Sequence, residues 1–225
     1  MHRLLRACVL ALCGVTLFVL SGCLGSPPTQ LYLVPPLTSP DPAPPASAGQ
    51  RDLTLGVGPV TVPPYLDRPQ LVTRTSRAKL VLADLDQWAA PLHDTIARVL
   101  AENLSLLIPT ERVVLAPWSR TIDPEYQVTV EVLQFDRSPG GEVVLAARWS
   151  LLDRDGKARV LRTSRLSQAT GGTDYEAMVT AMGRTLEALA QDIATTLQSI
   201  AQPAPRALRS TIESQPSASK GRDAR

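Results

Sequence analysis

The chemistry this 225-residue chain could carry concentrates in four residues, Leu20-Ser21-Gly22-Cys23, where small residues lead into a thiol. They end an apolar run, Ala7 to Leu20, that stands behind the positive charges of Arg3 and Arg6. A positive start, a short apolar middle and small residues at the end describe an export signal. An ordinary secretory signal closes on a small-x-small cleavage site, whereas this one closes on Gly22-Cys23. The apolar run holds 14 residues. As a helix it spans only ~21 Å at 1.5 Å per residue, and a bilayer-crossing helix needs about 20 apolar residues. The plainer alternative is a secreted protein in which Cys23 is incidental.

Leu20-Ser21-Gly22-Cys23 resembles the lipobox of bacterial lipoprotein signals. The resemblance implies cleavage between Gly22 and Cys23, a diacylglycerol on the Cys23 sulfur and a third acyl chain on the new amine. One acyl chain binds a membrane marginally and a second makes the anchor stable, at roughly 0.8 kcal/mol per buried CH₂. Cys8 and Cys13 would leave with residues 1–22, so the mature chain would hold no free thiol and no disulfide. Its fold must then rest on an apolar core, although its compartment is oxidising. Loss of Arg3 and Arg6 takes Lys+Arg from 23 to 21, against 21 Asp+Glu, so the mature chain is near neutral. Without a basic stripe or interleaved stacking aromatics, no nucleic-acid partner is expected.

The remaining chemistry-bearing residues do not assemble into an active site. A hydrolase needs a nucleophile and a base within hydrogen-bond reach, and the only histidine beyond residue 22 is His93. Gly56-Val57-Gly58 lacks the third glycine of a dinucleotide fingerprint and runs into Pro59, which has no N–H to offer a phosphate. No metal-ligand spacing occurs. Asp153 and Asp155 flank Gly156 and read as a solvated hairpin tip more readily than as a carboxylate pair. Trp88, Trp118 and Trp149 could line a lipid groove, but Trp88 and Trp149 fall on the core faces of their elements. Arg148, Arg159, Arg162 and Arg165 form either a solvated sheet face or a surface for an acidic partner. No catalytic residue, cofactor or metal site is expected.

These residues need a scaffold, and the periodicities supply one. Residues 23–52 read as a lipidated tether, a brief strand at Leu31–Val34 and a linker rich in Pro, Ala and Ser from Pro35 to Gln50. Residues 53–201 read as the folded domain. Strands are expected at Leu53–Val62, Gln70–Thr75, Lys79–Ala83 and Arg112–Ala116. Three longer ones follow, Tyr126–Val132, Val143–Leu151 and Arg159–Leu166, as an antiparallel meander turning at Ser138-Pro139-Gly140-Gly141 and Asp155-Gly156. Burial on one side of that meander is expected from its period of two, with its third strand carrying arginines on one face.

Helical spacing marks two stripes. Trp88, Leu92, Ile96, Val99, Leu100, Leu104 and Leu107 predict a helix from about Asp86, its N-cap, to Leu107. Met178, Val179, Met182, Leu186, Leu189, Ile193, Leu197 and Ile200 predict a second, entered through a Thr173–Glu176 capping box. Residues 202–225 are Ser, Ala, Pro and charge, and read as a disordered tail. The expected fold class is α+β, a mostly antiparallel sheet with two amphipathic helices packed on one face.

One block is more specific. Leu55-Gly56-Val57-Gly58-Pro59 leads through Pro63-Pro64-Tyr65-Leu66-Asp67-Arg68-Pro69-Gln70 to Arg74, followed by Trp88–Leu92, Asn103-Leu104, Phe135-Asp136, Gly141–Trp149 and Leu152–Gly156. Together, over Leu31 to Ile200, these resemble the ABC-type transport auxiliary lipoprotein family, which includes the paraquat-inducible protein C lipoproteins. The resemblance implies a non-enzymatic lipoprotein on the periplasmic face of the outer membrane. It would work with an MCE-type (mammalian cell entry) protein of an ABC transport system, docking or capping its lipid tunnel, and could form a homo-oligomeric ring. Leu24 stands where an inner-membrane retention signal would usually show Asp. Tyr65, Leu66, Asp67 and Arg68, on a rigid Pro-rich turn that loses little entropy on docking, either present an interaction element or merely join two strands. Two other classes stay open: a carrier that holds lipid in its own pocket, and a structural envelope lipoprotein.

Overall fold

Period-two alternation buries Val128, Val130 and Val132 on one strand and Val143, Leu145, Ala147, Trp149 and Leu151 on its neighbour. Side chains on a strand point to opposite faces in turn, so each run lays one apolar row on the core. The computed structural model describes residues 27–37, 53–108, 110 and 112–201, with His2 standing alone. The expected signal segment apart from His2, Gly22, Cys23, most of the Pro-rich linker and the 202–225 tail lie outside the described residues.

Among the described residues, eight strands and two helices follow in order: β1 (Gln30–Tyr32), β2 (Thr54–Thr61), β3 (Gln70–Arg74), β4 (Leu80–Trp88), α1 (Leu92–Leu107), β5 (Arg112–Leu115), β6 (Tyr126–Arg137), β7 (Glu142–Asp153), β8 (Ala158–Ala169) and α2 (Tyr175–Ala201). The strands form one sheet in the order β1-β4-β3-β6-β2-β5, and β7 and β8 extend it from β6. β6 forks the sheet: β2 pairs along Tyr126 to Glu131, while β3 meets it at Arg137. The α+β class and the β6-β7-β8 meander match the sequence reading.

The mostly antiparallel sheet expected from sequence does not. Among the described residues, four of the seven strand pairings are parallel: β1 with β4, and β2 with β5, β2 with β6 and β3 with β6. Alternation reports which face a residue occupies, and it is the same for either strand direction. The β2–β5 pairing needs a long crossover, which passes through the β3–β4 hairpin and α1.

The first helix also begins later than its stripe suggests. β4 runs to Trp88, and α1 starts at Leu92 behind Pro91, whose φ of −50° and ψ of 133° are extended. Proline disfavours the α region for the residue before it, so helix cannot extend back through Ala90. Asp86 is therefore a strand residue that pairs with Gln30 and accepts a 2.8 Å hydrogen bond from Tyr32 Oη, not an N-cap. In α2 the cap is Asp174: its Oδ1 accepts from the Ala177 N–H at 2.7 Å, where Thr173 was expected. Its carboxyl is held below the usual range, first by that bond.

Both helices lay their stripes on one face of the sheet and on each other, α1 over β2 and β5, α2 over β7 and β8. Leu92, Ile96, Val99, Leu100 and Leu104 of α1 are buried, as are Met178, Met182, Leu186, Leu189, Ile193 and Leu197 of α2. Each such side chain contributes roughly 1.5–3 kcal/mol by leaving water. The meander's burial is not one-sided: Val144 and Ala146, on the opposite face of β7, are also buried.

Candidate functional site

The block from Gly56 to Arg74 folds around one carboxylate that comes from far along the chain. Asp136, near the end of β6, is completely buried, on the face opposite Phe135. Its Oδ1 accepts from Arg74 Nε at 3.2 Å and from Gln134 Nε2 at 2.9 Å. Its Oδ2 accepts from Arg74 Nη2 at 2.9 Å and from Tyr65 Oη at 3.0 Å. A carboxylate can accept four such bonds, and the fork of a guanidinium fits both of its oxygens at once. The Arg74 guanidinium also lies 5.8 Å from the centre of the Tyr65 ring. Burial, and then the negative charge of Asp136, push the Tyr65 phenol up to about 12. The hydrogen bonds to Asp136 hold the Arg74 guanidinium above its ordinary value.

This network spends half of the expected interaction turn on the fold. Tyr65 is tied to Asp136, and Leu66 is buried in the core. The turn is closed by the Leu66 N–H on the Pro63 carbonyl at 2.9 Å and the Arg68 N–H on the Leu66 carbonyl at 2.9 Å. Asp67 is exposed, with one oxygen 3.6 Å from His93 Nδ1. Arg68 is partly buried, and its Nε has no hydrogen-bond partner among the described residues.

The glycines upstream have steric reasons. A Cβ at Gly56 would lie 2.8 Å from the Trp118 ring, so Trp118 covers β2 only because residue 56 lacks a side chain. Gly58 has φ of +113°, a backbone region natural to glycine, and its carbonyl accepts from Gln127 Nε2 at 2.8 Å where the β2–β6 register shifts. The Gly-x-Gly-Pro motif is thus a strand irregularity beneath a tryptophan.

A second constellation holds the N-terminal segment. Tyr32 and Val34 turn inward, and Leu31 and Leu33 turn outward. β1 pairs with the end of β4, and the Tyr32 carbonyl accepts from the Ala89 N–H at 2.9 Å. Pro35 crosses α2 at Gly183, where a Cβ would meet the Pro35 carbonyl oxygen at 2.8 Å. The Leu37 N–H then donates to Oδ1 of the buried Asn103 at 2.7 Å. Residues 30–37 therefore form a strap packed across the β4 edge and both helices. Asp136 and Asn103 occur in the segments that carry the family resemblance, but nothing local to them announces which distant groups they bind.

The other candidates resolve as structural groups. Trp88 and Trp149 are buried, as expected. Asp153 Oδ1 accepts from the Asp155 and Lys157 N–H groups, closing its hairpin. His93 lies beside Asp67 and Asp94 at 3.6 and 3.5 Å. The β8 arginines do not share a face: residues three apart on a strand point oppositely, so Arg162 lies 6.0 Å from the Trp149 ring while Arg159 and Arg165 face away. Among the described residues, no group of three or more His, Cys, Asp or Glu could hold a metal ion, and no helix is long and apolar enough to cross a membrane.

A crystal structure of a protein from Xanthomonas campestris shares the fold, with a TM-score of 0.65 and 18% identity, covering 78% of this chain and all of that one. The chain is 31% identical to the intermembrane transport lipoprotein PqiC of Escherichia coli K12 over 163 residues, 72% of this chain and 83% of that protein. The PqiC of Shigella flexneri matches to the same extent. Residues 36–194 match the family described as the ABC-type transport auxiliary lipoprotein component. The chain belongs to that family of transport lipoproteins.

Proposed function

We propose that this protein is the membrane-anchored accessory lipoprotein of an intermembrane lipid transport system. Three acyl chains on Cys23 fix it to the periplasmic face of the outer membrane, and its folded domain docks or caps the tunnel of an MCE-domain protein. The observation that carries this reading is the strap. The chain enters the fold at β1, seven residues after Cys23, a reach of at most about 25 Å. The strap is then locked by β4, Gly183 and Asn103. An anchor joined to such a strap fixes the position of the whole domain, which suits a docking part. The similarity to the intermembrane transport lipoprotein of Escherichia coli supports the same role, and Leu24 favours the outer over the inner membrane.

Two clefts among the described residues, each with charged side chains in its wall, suit docking better than carrying. One of about 560 Å³ is lined by Thr54, Arg112, Asp123, Glu125 and Arg154 among others. Another of about 330 Å³ is lined by Arg74, Arg137 and hydroxyl side chains. Acyl chains need apolar walls, and these are mixed, with Val113, Val114 and Ile122 beside the charged groups of the first and Pro139 beside the arginines of the second. In the Tyr65–Arg68 turn, Asp67 and Arg68 are left to meet a partner while Tyr65 and Leu66 hold the turn in shape.

Replacing Cys23 with Ser tests the anchor. The variant is expected to leave the membrane fraction with its thermal unfolding unchanged. A variant that stays with the membrane refutes the anchor. A photo-crosslinker at Arg68 is expected to capture the MCE-domain protein in intact cells, and its absence from the adducts refutes this docking surface.

A further inference from the structure

The outer face of the strap carries two leucines that the described residues leave largely uncovered. Leu31 is 65% exposed and Leu33 is 53% exposed. They alternate with Tyr32 and Val34, which turn into the fold. Leu31 on β1 and Leu33 just past its end therefore stand on one side of the strap, at an edge strand that among the described residues pairs only with β4. Scattered exposed leucines are ordinary, and Leu161 on β8 is equally bare at 66%. The position of Leu31 and Leu33 is not ordinary. They follow Cys23 by eight and ten residues, so a fully extended chain carries them at most about 35 Å from that sulfur. No Asp, Glu, Lys, Arg or His occurs from Cys23 to Pro40, so no side-chain charge would have to be dehydrated as this stretch meets lipid.

We infer that Leu31 and Leu33 insert into the interfacial zone of the same leaflet that holds the Cys23 acyl chains, as a second, shallow contact that orients the domain. This rests on Cys23 being acylated. Acyl chains alone set a distance and leave the domain free to rotate about its tether. Two apolar side chains on a strap locked to β4 and to Asn103 remove that freedom, because the strap cannot tilt without the sheet. Apolar side chains that lie in the interface sink to about 5–10 Å, at the boundary of headgroup and acyl chain. The β1 edge would then face the lipid, and β8, five strands away in the sheet, would point away at a separation on the order of 24 Å.

The test uses the full acylated chain in vesicles of phosphatidylethanolamine and phosphatidylglycerol. The mature sequence holds no cysteine other than Cys23, so a Leu33→Cys variant and a Leu161→Cys control can each be labelled with bimane at one site. Both positions are exposed, and circular dichroism checks that each variant folds. Brominated lipid is expected to quench the label at position 33 severalfold more than the label at position 161. Equal, weak quenching in vesicles that still float with the protein overturns the inference and leaves the anchor standing. Failure to float, with an unmodified Cys23 by mass spectrometry, overturns the anchor itself. A label at position 33 that is shielded without vesicles, in proportion to protein concentration, assigns the leucines to a second copy of the chain and also overturns the inference.

Discussion

Replacing Asp136 with Asn should be among the most damaging single changes to this fold. Four donors from three side chains converge on its carboxylate at 2.9 to 3.2 Å, and the residue has no exposure of its own. An Asn in that place keeps one acceptor oxygen and turns an NH₂ group toward donors. It also removes the partner of Arg74, whose side chain is only 22% exposed. Breaking a buried ion pair by deleting one partner costs about 3–5 kcal/mol, a large part of the 5–15 kcal/mol that holds a typical domain together. At about 2–4 °C per kcal/mol for a domain of this size, the lower bound predicts a fall in Tm of roughly 6–12 °C. The assay is thermal unfolding of the full chain in detergent, followed by far-UV circular dichroism. A double variant, Asp136→Leu with Arg74→Met, closes the argument. Apolar replacement of a whole buried pair is often neutral, so the double variant should be more stable than Asp136→Asn. A loss below about 0.5 kcal/mol for Asp136→Asn, the range of an ordinary surface change, refutes the view that this network holds the Pro-rich turn.

Gly183→Ala should destabilise, although Ala normally improves a helix interior by about 1 kcal/mol, because the new Cβ meets the Pro35 carbonyl; a raised Tm would show that the strap is not seated there. Gly56→Val should cost about 1–3 kcal/mol by overpacking against Trp118, read as loss of Tm together with a changed tryptophan emission. Tyr65 has its folded value raised to about 12 from 10.0, so its contribution is complete below pH 10 and disappears as pH rises to 12. Tyr32, raised to about 12 chiefly by its hydrogen bond to Asp86, behaves alike, and a Tyr65→Phe, Tyr32→Phe pair should flatten the alkaline limb of the stability curve. Asp174 has its folded value lowered by the Ala177 N–H, so its cap stabilises above the unfolded value and is lost as pH falls through the folded one. Asp174→Asn should retain the cap and remove that part of the acid dependence, measured as Tm against pH.

The local patterns were legible because they have short periods. The apolar stripe from Met178 to Leu197 repeats at helical spacing and is buried, and Val143 to Leu151 alternates with its row on the core buried, although Val144 and Ala146 on the other face are buried too. The errors fall where a local signal had two readings. Trp88 fits the stripe of α1 and also ends β4, and the Pro91 backbone decides in favour of the strand. Thr173 and Asp174 can each cap α2, and the geometry selects Asp174. Sheet direction was not legible, because a strand alternates identically whether its neighbour runs with it or against it.

The sequence by itself determined that no thiol lies beyond Cys23, and it determined the two amphipathic helices and the meander. Each of these is written in residues close together in the chain. Only the tertiary structure decided that Tyr65 and Arg74 bind Asp136, 71 and 62 residues away, and that Leu37 binds Asn103 across 66. It alone decided that Gly56 makes room for Trp118 and Gly183 for Pro35. A contact between distant residues leaves no local periodicity to read. It exists only once burial of the shared core has brought the segments together and made an unpaired carboxylate or an extra methyl group costly.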